Sequence, residues 1–354
     1  MKPYLIYGAN GYTGHLTARL AKERGHSPIL AGRSESKVKA VADELGFESR
    51  VFALDDILAR EKALADVDLV LHCAGPFSKT AEAMSEACLQ SKTHYLDVTG
   101  EIEVFELMAS KDEVAKKAEI MILPGVGFDV VPSDCLALHL KNRLPNATHL
   151  ALGFQSQGRS SRCTANTIVE NVNQGGMIRK DGVIVSVKAA EKSRQIDFGQ
   201  GETLGVTIPW GDVSTAYYST EIPNIEVYLA VPNAVKWAMK STRYFGKVLG
   251  SAPVQKMMKK RIQKGPAGPS DEERARWRTF LWGEAKNSAG EKVVSRLITP
   301  EGYTLTANTA LKIIERVLNG DAPIGFQTPA RAYGADLIME IDGVSRSDEA
   351  VTSS

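Results

Sequence analysis

Tyr4-Leu5-Ile6-Tyr7-Gly8-Ala9-Asn10-Gly11-Tyr12-Thr13-Gly14 decides how this chain is read. Four apolar residues run without a break into a GxxGxxG loop, and an amphipathic stretch, Thr13–Arg24, follows. A strand that feeds a helix through such a loop has a physical job. The glycines permit a tight turn and let the backbone approach a pyrophosphate, while the helix N-terminus offers N–H groups and a favourable dipole. Glycines at this spacing also arise by chance in loops, but here position, preceding strand, following helix and the ~30-residue βαβ unit agree. The expected dinucleotide contacts in this loop are Gly8, Asn10, Gly11, Tyr12, Thr13 and Gly14.

Outward from the loop, the first 130 residues keep one rhythm. The apolar runs Tyr4–Tyr7, Pro28–Ala31, Arg50–Leu54, Leu69–Ala74, His94–Val98 and Ile120–Pro124 are strands. Between them Thr13–Arg24, Ser36–Leu45, Ile57–Ala65, Thr80–Ser91 and Glu103–Lys117 are helices. Strict alternation implies βαβ units, and strands apolar almost throughout imply helices on both faces. The fold class expected is α/β, an N-terminal Rossmann doubly wound parallel sheet with a second α+β domain. Past Pro132 the rhythm changes. Ser133–Arg143 and Cys163–Asn173 are expected as helices, and His149–Gln155, Val183–Val187, Leu204–Pro209 and Glu226–Val231 as strands. Residues 233–264 have helical spacing, residues 265–274 are a Gly/Pro-rich connector, and Thr279–Ala285 with Lys292–Thr299 form a hairpin. Tyr303–Leu318 is a helix ended by Asn319-Gly320. The domains expected are 1–130 for the cofactor, 131–300 for substrate or dimerisation, 301–342 as a C-terminal segment, and 343–354 as a flexible tail.

The end of the second strand selects the cofactor. An NAD-binding fold places Asp or Glu there to hold the ribose hydroxyls. This chain has Ala31-Gly32-Arg33-Ser34, with no carboxylate to repel a 2′-phosphate. Arg33 can pair with that phosphate, Ser34 can donate to it, and Lys37 lies one turn on, so NADP(H) is expected. After the third strand, Asp55 or Asp56 either accepts from the adenine amino group or caps the next helix. Ala74-Gly75-Pro76-Phe77 ends the fourth strand, where small residues let the backbone pass close to a cofactor.

Composition excludes other classes. The chain has 354 residues, 43% hydrophobic and 24% charged, with a formal net charge of +1, which gives no reason to expect nucleic acid. Cys73, Cys88, Cys135 and Cys163 show no CxxC pair and no metal-ligand spacing, so no metal is expected. No run reaches ~18 apolar residues. Met1-Lys2-Pro3 leads directly into the first strand, and a cytoplasmic location is expected. No tyrosine has lysine four residues on, which sets aside the Tyr-x-x-x-Lys reductases, and no nucleophilic cysteine loop or Ser-His-Asp arrangement is present.

Together, Gly8–Gly14, Ala31–Ser34, Asp68–Phe77, Thr93–Glu101, Gly127–Asp134, Gly265–Ser270 and Thr328-Pro329-Ala330 resemble the saccharopine dehydrogenase-like oxidoreductases, and within them the trans-acting enoyl reductase branch. The resemblance implies a Rossmann domain and an α+β domain whose open sheet covers the active-site cleft. It also implies that the C-terminal segment packs back on the first domain. The function it implies is NADPH-dependent reduction of a C=C or C=N bond in an acyl or related metabolite. Saccharopine dehydrogenase itself is a weaker alternative, since no arginine cluster can be assigned to a dicarboxylate. An NADP(H)-binding sensor or scaffold without turnover is a further alternative.

Hydride transfer belongs to the cofactor, and the protein must supply position and a proton. The candidates are Asp129, Asp97 and Tyr95, with Glu101 and Ser133 nearby in sequence. Tyr95 and Asp97 alternate on a strand and share a face. Asp129 either orients substrate or braces the next helix. Residues 232–264 hold nine Lys and Arg and no acid, interleaved with Val235, Trp237, Met239, Tyr244, Phe245, Met257 and Met258. Such a segment docks on an anionic membrane or an acyl carrier protein, or turns its apolar side into the core or a homodimer interface. Peripheral membrane interaction through 232–264 is therefore another alternative role.

Overall fold

The computed structural model describes residues 3–170 and 175–353. In chain order its first elements are β1 (Tyr4–Tyr7), α1 (Tyr12–Glu23), β2 (Ile29–Gly32), α2 (Glu35–Leu45), β3 (Ser49–Val51) and α3 (Ile57–Leu64). Next come β4 (Leu69–His72), α4 (Ala81–Ser91), β5 (His94–Asp97), α5 (Ile102–Ser110), α6 (Asp112–Ala118) and β6 (Met121–Leu123). There follow α7 (Val131–Arg143), β7 (His149–Ser156), α8 (Arg162–Glu170), β8 (Gly176–Lys180), β9 (Val183–Val187), β10 (Ser193–Asp197) and β11 (Glu202–Thr207). The middle continues with α9 (Asp212–Thr220), β12 (Asn224–Ala230), α10 (Asn233–Leu249), α11 (Ala252–Gln263) and α12 (Asp271–Arg276). The last are β13 (Arg278–Lys286), β14 (Glu291–Pro300), α13 (Gly302–Leu318), β15 (Gly325–Phe326), α14 (Pro329–Tyr333), β16 (Ser345–Asp348) and β17 (Thr352–Ser353).

These elements divide into two compact units, Met1–Val131 with Tyr303–Tyr333, and Pro132–Gly302 with Gly334–Ser354. The first unit holds a seven-stranded parallel sheet ordered β15-β6-β5-β4-β1-β2-β3. β1 lies between β2 and β4, so the order reverses direction there, which is the doubly wound arrangement with its ligand crevice at the strand C-termini. Leu5, Ile6, Leu30, Leu69, Val70, Leu71, Leu96 and Ile122 are fully buried, as strands covered on both faces must be. α2 ends at Gly46 in the left-handed region, φ +73°. The helix expected over Glu103–Lys117 is two helices: chain direction changes at Lys111, and the Asp112 carboxylate turns aside to accept from Phe326 N at 2.7 Å.

The second unit is built on a mixed sheet ordered β10-β11-β12-β7-β13-β14-β16. α7 lies close against one face: a Cβ on Gly283 of β13 would stand 2.5 Å from Leu140. The other face carries a buried cluster of Ile196, Phe198, Tyr228, Phe280, Trp282 and Val294. One expectation changes here. The polar end beyond 342 is not a frayed tail, because β16 and β17 pair with β14, and Asp348 accepts from Ser295 Oγ at 2.6 Å. The helix expected at Cys163–Asn173 is observed to Glu170, and its last positions lie outside the described residues. β10 escaped sequence reading because Ser193–Asp197 buries only Ile196, too little apolar surface to show a period. No helix among the described residues is long and apolar enough to cross a membrane.

Candidate dinucleotide site

The glycine loop is shaped by two close approaches and one opening. Gly8 has φ +85°, and a Cβ there would lie 2.8 Å from Ala74 N. A Cβ on Gly14 would lie 2.5 Å from the Gly8 carbonyl oxygen. These two glycines let β1, the end of β4 and the first turn of α1 pack together. Gly11 differs: a Cβ there would meet only the Gly8 carbonyl, at 3.2 Å. Gly11 is the N-cap of α1, with no side-chain cap and no acidic residue in the first turn. The helix dipole is therefore presented at an uncrowded turn, as an anion needs. Gly8 N and Ala9 N donate to the Ala31 carbonyl at 2.8 and 3.2 Å, which ties this turn to the end of β2.

At that end Arg33 is exposed and, among the described residues, holds no hydrogen bond or ion pair. Ser34 occupies the N-cap position of α2, yet its side chain makes no cap hydrogen bond. Lys37 is exposed one turn on. Asn10 Oδ1 would lie 3.1 Å from a Cβ on Gly32, so the first loop and the end of β2 adjoin. After β3 the two aspartates separate: Asp56 caps α3 by accepting from Ala59 N at 3.0 Å, while Asp55 stays exposed.

The loop after β4 is held from below. Glu101 accepts from Phe77 N at 2.8 Å and Ser78 N at 2.9 Å, and Thr80 Oγ1 donates to the Ala74 carbonyl at 2.8 Å. Gly75 is left exposed, with Pro76 half-buried beside it. His72 beneath is fully buried, and burial lowers its pKa to about 3, so the ring is neutral.

The expected catalytic residues do not form one cluster. Tyr95 and Asp97 have no exposure and satisfy each other: Tyr95 OH donates to Asp97 Oδ2 at 2.7 Å. Asp97 Oδ1 accepts from Thr99 N and Gly125 N, both at 2.9 Å. Burial pushes the Asp97 carboxyl up to about 6, although these donors pull it back. The pair braces the loops after β5 and β6. Asp129 sits apart. Its Oδ1 is buried without a partner, and burial pushes its pKa up to about 7. Gly100 leaves the room it occupies, since a Cβ there would stand 2.6 Å from Asp129 Oδ2.

Sequence reading missed the clamp on this loop. Thr306 Oγ1 of α13 accepts from Phe128 N at 2.9 Å, and Thr309 Oγ1 donates to the Val126 carbonyl at 2.7 Å. Tyr303 stacks edge-on against Tyr12, with ring centroids 5.0 Å apart. A separation of 178 residues between Phe128 and Thr306 leaves no local signal.

A parallel doubly wound sheet whose first turn is an open, uncapped glycine loop defines a Rossmann-type dinucleotide-binding domain. Residues 4–123, about a third of the chain, match the saccharopine dehydrogenase NADP binding domain family, which supports a nicotinamide dinucleotide as the ligand of this unit. Among curated proteins, a mouse saccharopine dehydrogenase-like oxidoreductase is 31% identical over 160 residues, covering 40% of this chain and 37% of that one. A trans-acting enoyl reductase of Mycobacterium ulcerans is 31% identical over 152 residues, covering 39% and 35%. The matched stretch thus spans little more than a third of these relatives. The apo saccharopine dehydrogenase (L-Glu forming) of Saccharomyces cerevisiae has the same fold, with a TM-score of 0.70 over 99% of this chain and 100% of that one, at 12% identity.

Proposed function

We propose that this chain is an NADPH-dependent reductase that delivers hydride to a C=C or C=N bond of an acyl or related metabolite. The observation that carries the cofactor choice is the exposed, unpaired Arg33 guanidinium beside the uncapped Ser34 hydroxyl, with no carboxylate at the end of β2. Cation and hydroxyl suit a 2′-phosphate, and a ribose hydroxyl alone would not need the cation. The glycine loop fits a pyrophosphate, because Gly11 keeps its open side clear. Asp55, Ala74, Gly75, Pro76 and Phe77 complete the cofactor-binding set, with Asp55 free of the capping role taken by Asp56.

Bound NADPH supplies the hydride. The chain's own part is to hold and move a proton, and Asp129 is the group suited to it. A carboxyl raised to about 7 by burial exchanges its proton near neutral pH, which a general acid requires. Tyr95 and Asp97 act as positioning residues, fixing the backbone of Thr99 and Gly125 on either side of it. Relatives named as enoyl reductases favour a C=C acceptor.

The test is calorimetric titration of the protein and of Arg33→Ala with NADPH and NADH, then an assay of NADPH oxidation with enoyl thioesters. NADPH is expected to bind at least about tenfold more tightly than NADH, and Arg33→Ala to erase the difference. Equal affinities in the wild type would refute the cofactor choice. Tight NADPH binding without turnover on any enoyl or imine substrate would refute the reductase.

A further inference from the structure

We propose that α10 and α11 form a docking surface for an anionic lipid membrane. The observation is a face that the fold leaves unpartnered. In the segment 232–264, Trp237 is 66% exposed, Phe245 59% and Met257 66%, and no residue of α11 is buried. At ~100° per residue, Trp237, Ser241 and Phe245 fall on one stripe of α10, with Lys236 and Lys240 on the stripe beside it. Met239 turns the other way and packs on Ala190, Val206 and Val231. Trp237, Phe245 and Met257 are thus not spent on the core.

The charges separate in the same manner. Lys259 pairs with Glu170 at 2.5 Å, and Arg243 donates to the Ala189 and Ala190 carbonyls at 2.8 Å, so these two fasten the helices to their own unit. Lys236, Lys240, Lys256, Lys260, Arg261 and Lys264 have no ion pair among the described residues, and no acid lies anywhere in 232–264. A cationic helix with aromatic side chains standing in water is complementary to a surface that is anionic outside and apolar beneath. The lysines meet the headgroups, and Trp237 and Phe245 enter the interface. An acidic protein would answer the charge but not the exposed apolar stripe. A second copy would bring the same cations against each other.

Co-sedimentation of the full chain with vesicles tests this. Phosphatidylcholine vesicles with about 30% phosphatidylserine are compared with pure phosphatidylcholine, at about 50 mM and 500 mM salt. The chain is expected to pellet with the anionic vesicles at low salt, and to bind about tenfold less on raising the salt or removing the anionic lipid. Trp237→Ser with Phe245→Ser, and separately Lys236→Glu with Lys240→Glu, should each weaken binding by about tenfold or more. Unchanged melting temperature and unchanged NADPH affinity show that these variants fold. Wild-type protein that stays in the supernatant with anionic vesicles overturns the proposal. So does a dimer that the Trp237→Ser, Phe245→Ser variant dissociates, if wild type shows no vesicle binding, since a second copy then covers the face.

Discussion

Gly11 and Gly14 share a loop but answer to different forces, and alanine at each separates them. At Gly14 the new methyl would stand 2.5 Å from the Gly8 carbonyl oxygen and 2.9 Å from Ala9 Cα. Both are backbone atoms, so the helix must retreat. Overpacking of this kind costs about 1–3 kcal/mol, and the better helix propensity of alanine returns up to about 1 kcal/mol. Taking the middle of these ranges, the net loss is about 1.5 kcal/mol, which lowers Tm by about 3–6 °C in a domain of this size class. At Gly11 the methyl would meet one atom, at 3.2 Å, and φ −79°, ψ 164° is open to any residue. The stability cost is that of a poorer N-cap, about 0.5 kcal/mol, or a Tm change of about 1–2 °C. The methyl nevertheless occupies the side from which a pyrophosphate must approach, and NADPH affinity should fall by more than about tenfold, or about 1.4 kcal/mol. Thermal melting and calorimetric titration on the two variants read both numbers. Gly11→Ala that binds NADPH like wild type would refute the assignment of the anion to this turn. Gly14→Ala with unchanged Tm would show that the close approach is not rigid.

Other outcomes follow from the same geometry. Asp129 is raised to about 7 in the folded chain, so the folded state holds its proton after the unfolded chain has released it. Its burden on stability is absent below about pH 4, grows as pH rises through 7, and is full above that. Asp129→Asn should therefore raise stability at pH 8 by about 1–3 kcal/mol and leave it unchanged at pH 4, while turnover falls at least about tenfold. Urea melts at the two pH values check the sign, and equal effects at both would refute it. Glu101→Ala removes the acceptor for Phe77 N and Ser78 N and should cost about 1–3 kcal/mol and weaken NADPH binding, whereas Glu101→Gln keeps one acceptor and loses less. Thr306→Val removes the acceptor of Phe128 N, and amide exchange at Phe128 should speed by about 2–10-fold; no change would mean that α13 does not clamp the loop.

The first unit was legible because its signals are local. Tyr4–Tyr7 is buried at every position, and the glycines that follow are required by contacts within one turn and a neighbouring strand. Arg33 could be placed from the end of β2 alone. Asp55 and Asp56 could not be told apart, because capping depends on which carboxylate reaches Ala59 N. Tyr95 and Asp97 carry the residue types of an acid and a base and share a face of β5, but the other donors to Asp97, Thr99 N and Gly125 N, lie in loops that no spacing rule connects. The basic segment showed its amphipathic character in sequence. Which side the core would take was decided by Met239 packing inward while Trp237 and Phe245 face out.

The chain crosses from the first unit to the second and back before ending in the second. During synthesis this sets an order of events. β6 is complete at Leu123, but its neighbour β15 and the α13 threonines that hold the following loop are made roughly two hundred residues later. At ~5–20 residues per second, that is on the order of ten to forty seconds in which the nascent sheet has an unpaired edge at β6. A ribosome that stalls within the second unit would hold a dinucleotide domain with its glycine loop formed and its Asp129 loop unclamped. Cofactor present in the cell could therefore engage the growing chain well before the Asp129 loop is set.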